Sequence, residues 1–198
     1  MTKVIQKDIN RENLLNTGVA MLMKQGYHGT GLKELLDTVQ IPKGSFYNYF
    51  ASKEEFGVAV IDHYINPFIE QLDQHLQNPD LDALSALRIY FAELINELEK
   101  ANFTGGCLLG NLMGEVCDTS ELCRKALKIA VNRYRDLLQT GLLKAQQQGA
   151  VRTDKSALMM ADLLSDAWQG ALLRMKIEQS SAPLKQCCDE LLGDYFIT

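Results

Sequence analysis

Two stretches of this 198-residue chain concentrate side chains that could do chemistry. In the first, Lys43-Gly44-Ser45-Phe46-Tyr47-Asn48-Tyr49-Phe50, the two phenylalanines stand at i and i+4 and suit a core. The other positions offer an ammonium, a hydroxyl, an amide and two phenols, and Gly44 allows close approach of a partner. That inventory suits hydrogen bonds to phosphates and base edges in a duplex groove, and very little enzymology. The second stretch is Thr104-Gly105-Gly106-Cys107-Leu108-Leu109, followed by Glu115-Val116-Cys117-Asp118. Cys107 falls at the start of a short helix, where backbone N–H groups and the helix dipole favour a thiolate. Its glycine neighbours leave room for a small reagent. A reactive thiol also calls for a cation, and Lys176, near the end of a later helix, is the candidate. Cys107 also reads as a small buried hydrophobe, and both readings stand.

The rest of the composition narrows the field. Five cysteines (107, 117, 123, 187 and 188) lack C-x-x-C spacing, and His28, His63 and His75 lie far from them. No zinc pattern results, and the thiols are expected to be reduced packing residues apart from Cys107. There is no G-x-S-x-G, no H-E-x-x-H and no phosphate-cradling glycine loop, so a hydrolase or metalloenzyme is excluded. No catalytic residue, metal or cofactor is expected. The uncharged run Ala101–Gly114 contains four glycines and is too short to span a bilayer, so a cytoplasmic protein without a membrane partner is expected. Residues 1–55 sum to +1 and the remainder to −6. Any nucleic-acid contact must therefore come from a few well-placed groups near the N-terminus.

Along the whole chain helical periodicity dominates, and no hairpin signal appears. A first helix is predicted from Ile9 to Gln25, capped by Asp8 and stopped by Gly26. A second runs from Leu32 to Thr38 with Gly31 at its cap, and the turn Val39-Gln40-Ile41 leads to Pro42 and a third ending near Phe50. Ser52-Lys53-Glu54-Glu55 forms a capping box that opens a long helix to Gln77. Further helices are expected over Leu81–Lys100, Gly106–Val116, Glu121–Gln148 behind an Asp118-Thr119-Ser120 cap, a stretch capped by Asp154 to Ile177, and Pro183–Phe196. The prediction is an all-α fold of nine helices, with a helix-turn-helix domain at 1–52 and a regulatory and dimerisation domain at 53–198.

Gly26-Tyr27-His28-Gly29-Thr30, Leu35-Leu36 and the run from Lys43 to Glu54 together resemble the TetR family of transcriptional regulators. The resemblance implies a repressor that binds a palindromic double-stranded operator as a homodimer. It implies that Lys43, Ser45 and Asn48 face bases or adjacent backbone, and that Thr30, Tyr47, Tyr49 and Lys53 clamp phosphates. Two positions depart from the pattern: Gly31 stands in place of a capping hydroxyl, and Gln40 in place of a turn glycine. The G-C-L…E-V-C-D segment is similar to that of the branch answering electrophiles or oxidants through a cysteine, whose members typically control reductases. A helical ligand- or protein-binding module without DNA binding is the alternative.

In the body, the predicted helix from Asp154 to Ile177 is apolar on more than one face, which calls for a second neighbour. Ala161, Leu164, Trp168, Ala171 and Leu172 are the expected dimer interface. Phe91, Phe103, Leu112, Met113, Tyr134 and Trp168 read either as the lining of a pocket for a small apolar or electrophilic effector or as plain core. Asn66-Pro67 favours a kink in the long helix. If about six to eight phosphates are neutralised per dimer, log K against log salt falls with a slope of roughly −5 to −7, measurable by fluorescence anisotropy.

Overall fold

The computed structural model describes residues 2–197, with side chains from Gln6 onward. All regular structure among these residues is helical: α1 (Thr2–Gly29), α2 (Leu32–Val39), α3 (Lys43–Phe46), α4 (Lys53–Gln77), α5 (Ala83–Lys100), α6 (Leu108–Val116), α7 (Glu121–Gln147), α8 (Ala157–Glu178) and α9 (Ala182–Glu190), then a π-helical turn, Leu191–Tyr195. The nine-helix expectation holds for the described residues, with differences at the ends that have local causes. α1 starts earlier than Ile9. At Gly26 it does break, at φ 73° and ψ 177°, before residues 27–29 resume a helical turn. α3 is shorter than expected, because the Asn48 and Tyr49 amides bond three residues back, as in Tyr49 N–H to Phe46 O at 2.9 Å.

Caps explain most other boundaries. The Ser52 hydroxyl accepts the Glu55 amide at 3.0 Å, and the Glu55 carboxylate reaches back to the Ala51 amide at 2.6 Å. Ser120 accepts the Cys123 amide at the start of α7. α5 opens at Asp82, which accepts the Ser85 amide at 2.9 Å. Asp154 does not cap α8. Its carboxylate is held by the Arg152 guanidinium at 2.7 Å, and the Ser156 hydroxyl takes the cap by accepting the Met159 amide. α4 runs through Pro67 as one helix.

The chain forms two compact units. The first holds the N-terminal residues through Ile65 together with Cys107–Ala130. Its core is built on Leu14, Leu22, Leu35, Phe46, Ile61, Leu108 and Leu112, all under 3% exposed. α1 and α4 approach closely because Gly18 faces Phe56; a Cβ there would lie 2.5 Å from the ring. The second unit holds Asn66–Gly106 and the chain from Val131 onward. Tyr90, Phe91, Leu138, Leu164, Met175 and Leu184 fill its core. There α8 packs on α9, and Arg88 of α5 donates two N–H groups to the Leu192 carbonyl in the π-helical turn.

Gln40 adopts the left-handed conformation, φ 56° and ψ 37°, at the end of α2. The Ile41 amide closes the turn on Leu36 O at 3.0 Å. A side chain at such a position costs about 1 kcal/mol relative to glycine. Gln40→Gly is expected to raise stability by roughly 0.5–1 kcal/mol, read as a higher urea midpoint at unchanged slope.

Candidate nucleic-acid interface

The helix-turn-helix is assembled from inside outward. Leu35 and Leu36 bury α2, and the rings of Phe46, Phe50 and Phe56 lie with centroids 5.1–5.7 Å apart, all at most 3% exposed. With Phe46 and Phe50 turned in, the polar residues around them are left toward solvent. Lys43, Gly44, Tyr47 and Asn48 are exposed, Tyr47 by 52%, and Ser45 and Tyr49 are half-buried. A Cβ at Gly44 would meet no atom within 4 Å, so the face around it is open. Six of the eight residues expected to contact DNA thus share one short exposed segment.

Thr30 and Lys53 are placed differently. Thr30 is 2% exposed, and its hydroxyl donates to Gly26 O at 2.7 Å. It holds the turn before α2 and does not present a hydroxyl to solvent. The Lys53 ammonium donates to Tyr27 O at 2.7 Å and sits 4.5 Å from the centroid of the Tyr27 ring. Burial lowers its pKa, and the charge of Glu115 acts in the opposite direction. Tyr27 is buried against Gly57, and burial, then Cys123 and Glu54, push its phenol up to about 12.

Sequence reasoning missed three groups at the start of α1. Asn10 donates to the Tyr49 hydroxyl at 3.4 Å, the Lys7 ammonium stands 6.0 Å from the Tyr49 ring, and the Arg11 guanidinium 5.5 Å from the Phe50 ring. Lys7 and Arg11, both exposed, are an i, i+4 basic pair, and that spacing was the available signal. It also missed Glu115 of α6. Its two carboxylate oxygens accept the Tyr27 amide at 2.8 Å and the His28 amide at 2.7 Å.

Cys107 is the N-cap residue of α6, in extended backbone at φ −108° and ψ 122°, and is half-buried. Lys176 of α8 lies over Gly106. A Cβ on Gly106, which has φ +79°, would fall 2.8 Å from Lys176 Cε and 3.3 Å from Nζ. Cys123 is buried, and burial raises its thiol pKa. Burial also raises Cys187, and Cys188 to about 12.

The expected pocket residues divide between the two units. Leu112 and Met113 belong to the first, Leu112 buried and Met113 half-buried. In the second, Phe91 and Trp168 pack edge to face at 4.8 Å in the core, and Tyr134 stacks obliquely on Tyr90 at 6.3 Å. Phe103 is half-buried at φ 58°. A cavity of about 300 Å³ in the second unit is lined instead by Arg88, Ala92, Ile95, Asn96, Lys185, Cys188, Asp189 and Gly193.

The expected dimer face needs correction. Ala161, Leu164, Trp168, Ala171 and Leu172 are buried within the chain's own second unit, so they are not free to meet a partner. A helix apolar on two sides buries one of them internally. The other side of α8 is the exposed strip Met159, Leu163, Asp166, Gly170, Leu173 and Ile177, apolar apart from Asp166, with Leu173 58% and Ile177 83% exposed. These positions recur at helical spacing on one face.

Comparison with known proteins bears on this geometry directly. The profile of bacterial regulatory proteins of the tetR family matches residues 14–60, and that of the tetracyclin repressor-like C-terminal domain matches residues 83–191. The chain is 35% identical over 185 residues to the HTH-type transcriptional repressor NemR of Escherichia coli (strain K12), covering 93% of this chain and 92% of that protein. It is 32% identical over 176 residues to the HTH-type transcriptional repressor DhaR of Mycobacterium sp. (strain GP1), covering 89% and 87%. The crystal structure of the reduced form of E. coli NemR superposes with a TM-score of 0.87 at 32% identity, over 96% of this chain and 97% of that one. A regulatory protein TetR from Rhodobacter sphaeroides gives 0.85 at 30% identity, over 94% and 98%.

Proposed function

Because the chain belongs to the TetR family of bacterial transcriptional regulators, we propose that two copies read a palindromic operator and are released by modification of Cys107 or by a small apolar ligand. The chain is a DNA-binding regulator, as its relatives are. The observation that carries the operator reading is the exposed segment Lys43–Asn48 standing on a buried three-ring base. Lys43, Ser45 and Asn48 are assigned to base edges and neighbouring backbone. The open face at Gly44 admits the duplex. Tyr47 and Tyr49, joined by Lys7 and Arg11, are assigned to phosphates. In this assignment Lys53 and Thr30 support the turn. The reading domain ends at residue 52, and residues 53–198 carry regulation and dimerisation.

Palindromic recognition needs two copies whose reading helices stand about 34–36 Å apart. Met159, Leu163, Leu173 and Ile177, with Asp166 among them, form the strip that a second copy would cover. Release through Cys107 is an addition. The thiolate sulfur bonds to the β-carbon of an activated alkene, the π pair moves to the α-carbon, and water returns the proton. Lys176, the cation expected from the sequence, covers Gly106 within the second unit. A relative whose crystal structure is of a reduced form supports a thiol-based response. In the second unit Phe103 and Tyr134, both half-buried, keep surface to offer an apolar ligand, and Met113 does so separately in the first.

Operator binding is tested by selecting duplexes from a random-sequence pool with purified protein. Recovery of an inverted repeat is expected, and recovery of none would remove the reading. Leu173→Glu is expected to give a monomer by sedimentation and to weaken binding to the selected duplex at least tenfold, since it replaces an apolar contact by a second carboxylate on the face that carries Asp166. Cys107→Ser is expected to bind that duplex like the wild type but to resist release by N-ethylmaleimide. Equal release of both proteins would leave the apolar-ligand route alone.

A further inference from the structure

We infer that Glu115 of α6 is the positioning residue that sets the helix-turn-helix for operator binding, an inference that rests on the operator-binding reading above. The break in α1 at Gly26 strips the Tyr27 and His28 amides of their helical acceptors. Glu115 supplies both replacements, one carboxylate oxygen to each amide, at 2.8 and 2.7 Å. These are charge-assisted bonds to neighbouring N–H groups, a stronger arrangement than a neutral cap. The glycine is required twice over. Its φ of 73° is left-handed, and a Cβ would lie 2.6 Å from Glu115 Oε2. The carboxylate occupies the space a side chain would take.

The gripped peptide segment is the one that launches α2. Within five residues, Thr30 bonds Gly26 O, Lys53 bonds Tyr27 O and Glu115 bonds the two amides between. Gly31, the cap of α2, contributes no side-chain bond. The start of α2 is therefore set by this segment, while the burial of Leu35 and Leu36 and the Gln25–Glu34 hydrogen bond at 3.1 Å hold the rest of it. α6 holds α1 by one more contact on the same face, Asn111 Nδ2 to Met23 Sδ at 3.5 Å, one helical turn before Glu115. Lys53 and Thr30 belong to the N-terminal region itself, whereas Glu115 comes from more than eighty residues away. Base contacts tolerate only small displacements, so a segment freed from Glu115 lowers the fraction of molecules ready to bind, and the apparent Kd rises by the same factor.

The test uses full-length protein and a duplex selected by the wild type from a random-sequence pool, with a scrambled duplex of equal length as control. Active fractions are titrated so that Kd refers to folded protein only. Glu115→Ala is expected to raise Kd for the selected duplex roughly tenfold while leaving the scrambled duplex unchanged. Glu115→Gln, which keeps one acceptor, is expected to fall between, at roughly threefold. Hydrogen exchange over residues 26–30 is expected to quicken in the same order, Gln before Ala. If the variants are only less stable, with Kd for both duplexes unchanged at equal active fraction, the inference is overturned. Glu115→Gln keeps the test decisive if the alanine variant does not fold. A wild type that retains no duplex would instead remove the operator reading itself, a failure visible without any variant.

Discussion

A helical turn that restarts after a glycine leaves its first amide hydrogens with no helical acceptor, and the first unit is organised around how that deficit is met. At Gly26 the backbone turns through a left-handed residue and exposes the Tyr27 and His28 amides. Solvent could satisfy them, but water would not fix the direction in which α2 departs. A carboxylate from another helix does both. The chain returns after its excursion through α5 to place α6 against α1, which is why Cys107–Ala130 packs with the N-terminal helices although the middle of the sequence lies elsewhere.

The reading segment obeys a simpler constraint. Two phenylalanines four residues apart, locked against Phe56, turn Tyr47 and Asn48 outward and leave Tyr49 half-buried. The polar groups of Lys43, Asn48 and Tyr47 are displayed by the same packing that stabilises the turn. A modest net charge is compatible with this arrangement, because the contacts are supplied by position and not by a broad basic field. The exposed Lys7 and Arg11 extend the cationic side of this surface from α1.

Much of this was legible in the residues. Periodicity and capping types placed all nine helices, and the departure at Gln40 was visible as a non-glycine residue in a position that does prove left-handed. The misplaced residues have a common physical origin, dependence on partners that no local pattern reveals. Asp154 looks like a cap until Arg152 claims its carboxylate. Thr30 and Lys53 look available until Gly26 O and Tyr27 O are seen to accept from them. α8 is apolar around most of its circumference, so its sequence announces two buried faces without saying which is covered internally. Glu115 belongs to a motif noticed for its cysteines, and nothing in its neighbourhood ties it to Tyr27 and His28.

The joint between α5 and α6 carries its own consequence. Asn102, Phe103, Gly105 and Gly106 all have positive φ, and for Phe103 that conformation costs roughly 1–2 kcal/mol. The Phe103 amide bonds Leu98 O, and the Thr104 hydroxyl bonds Ala101 O, so the kinked stretch of chain is latched at its near end. A conformation of that kind persists only where its surroundings over-determine it, and these two bonds supply that constraint.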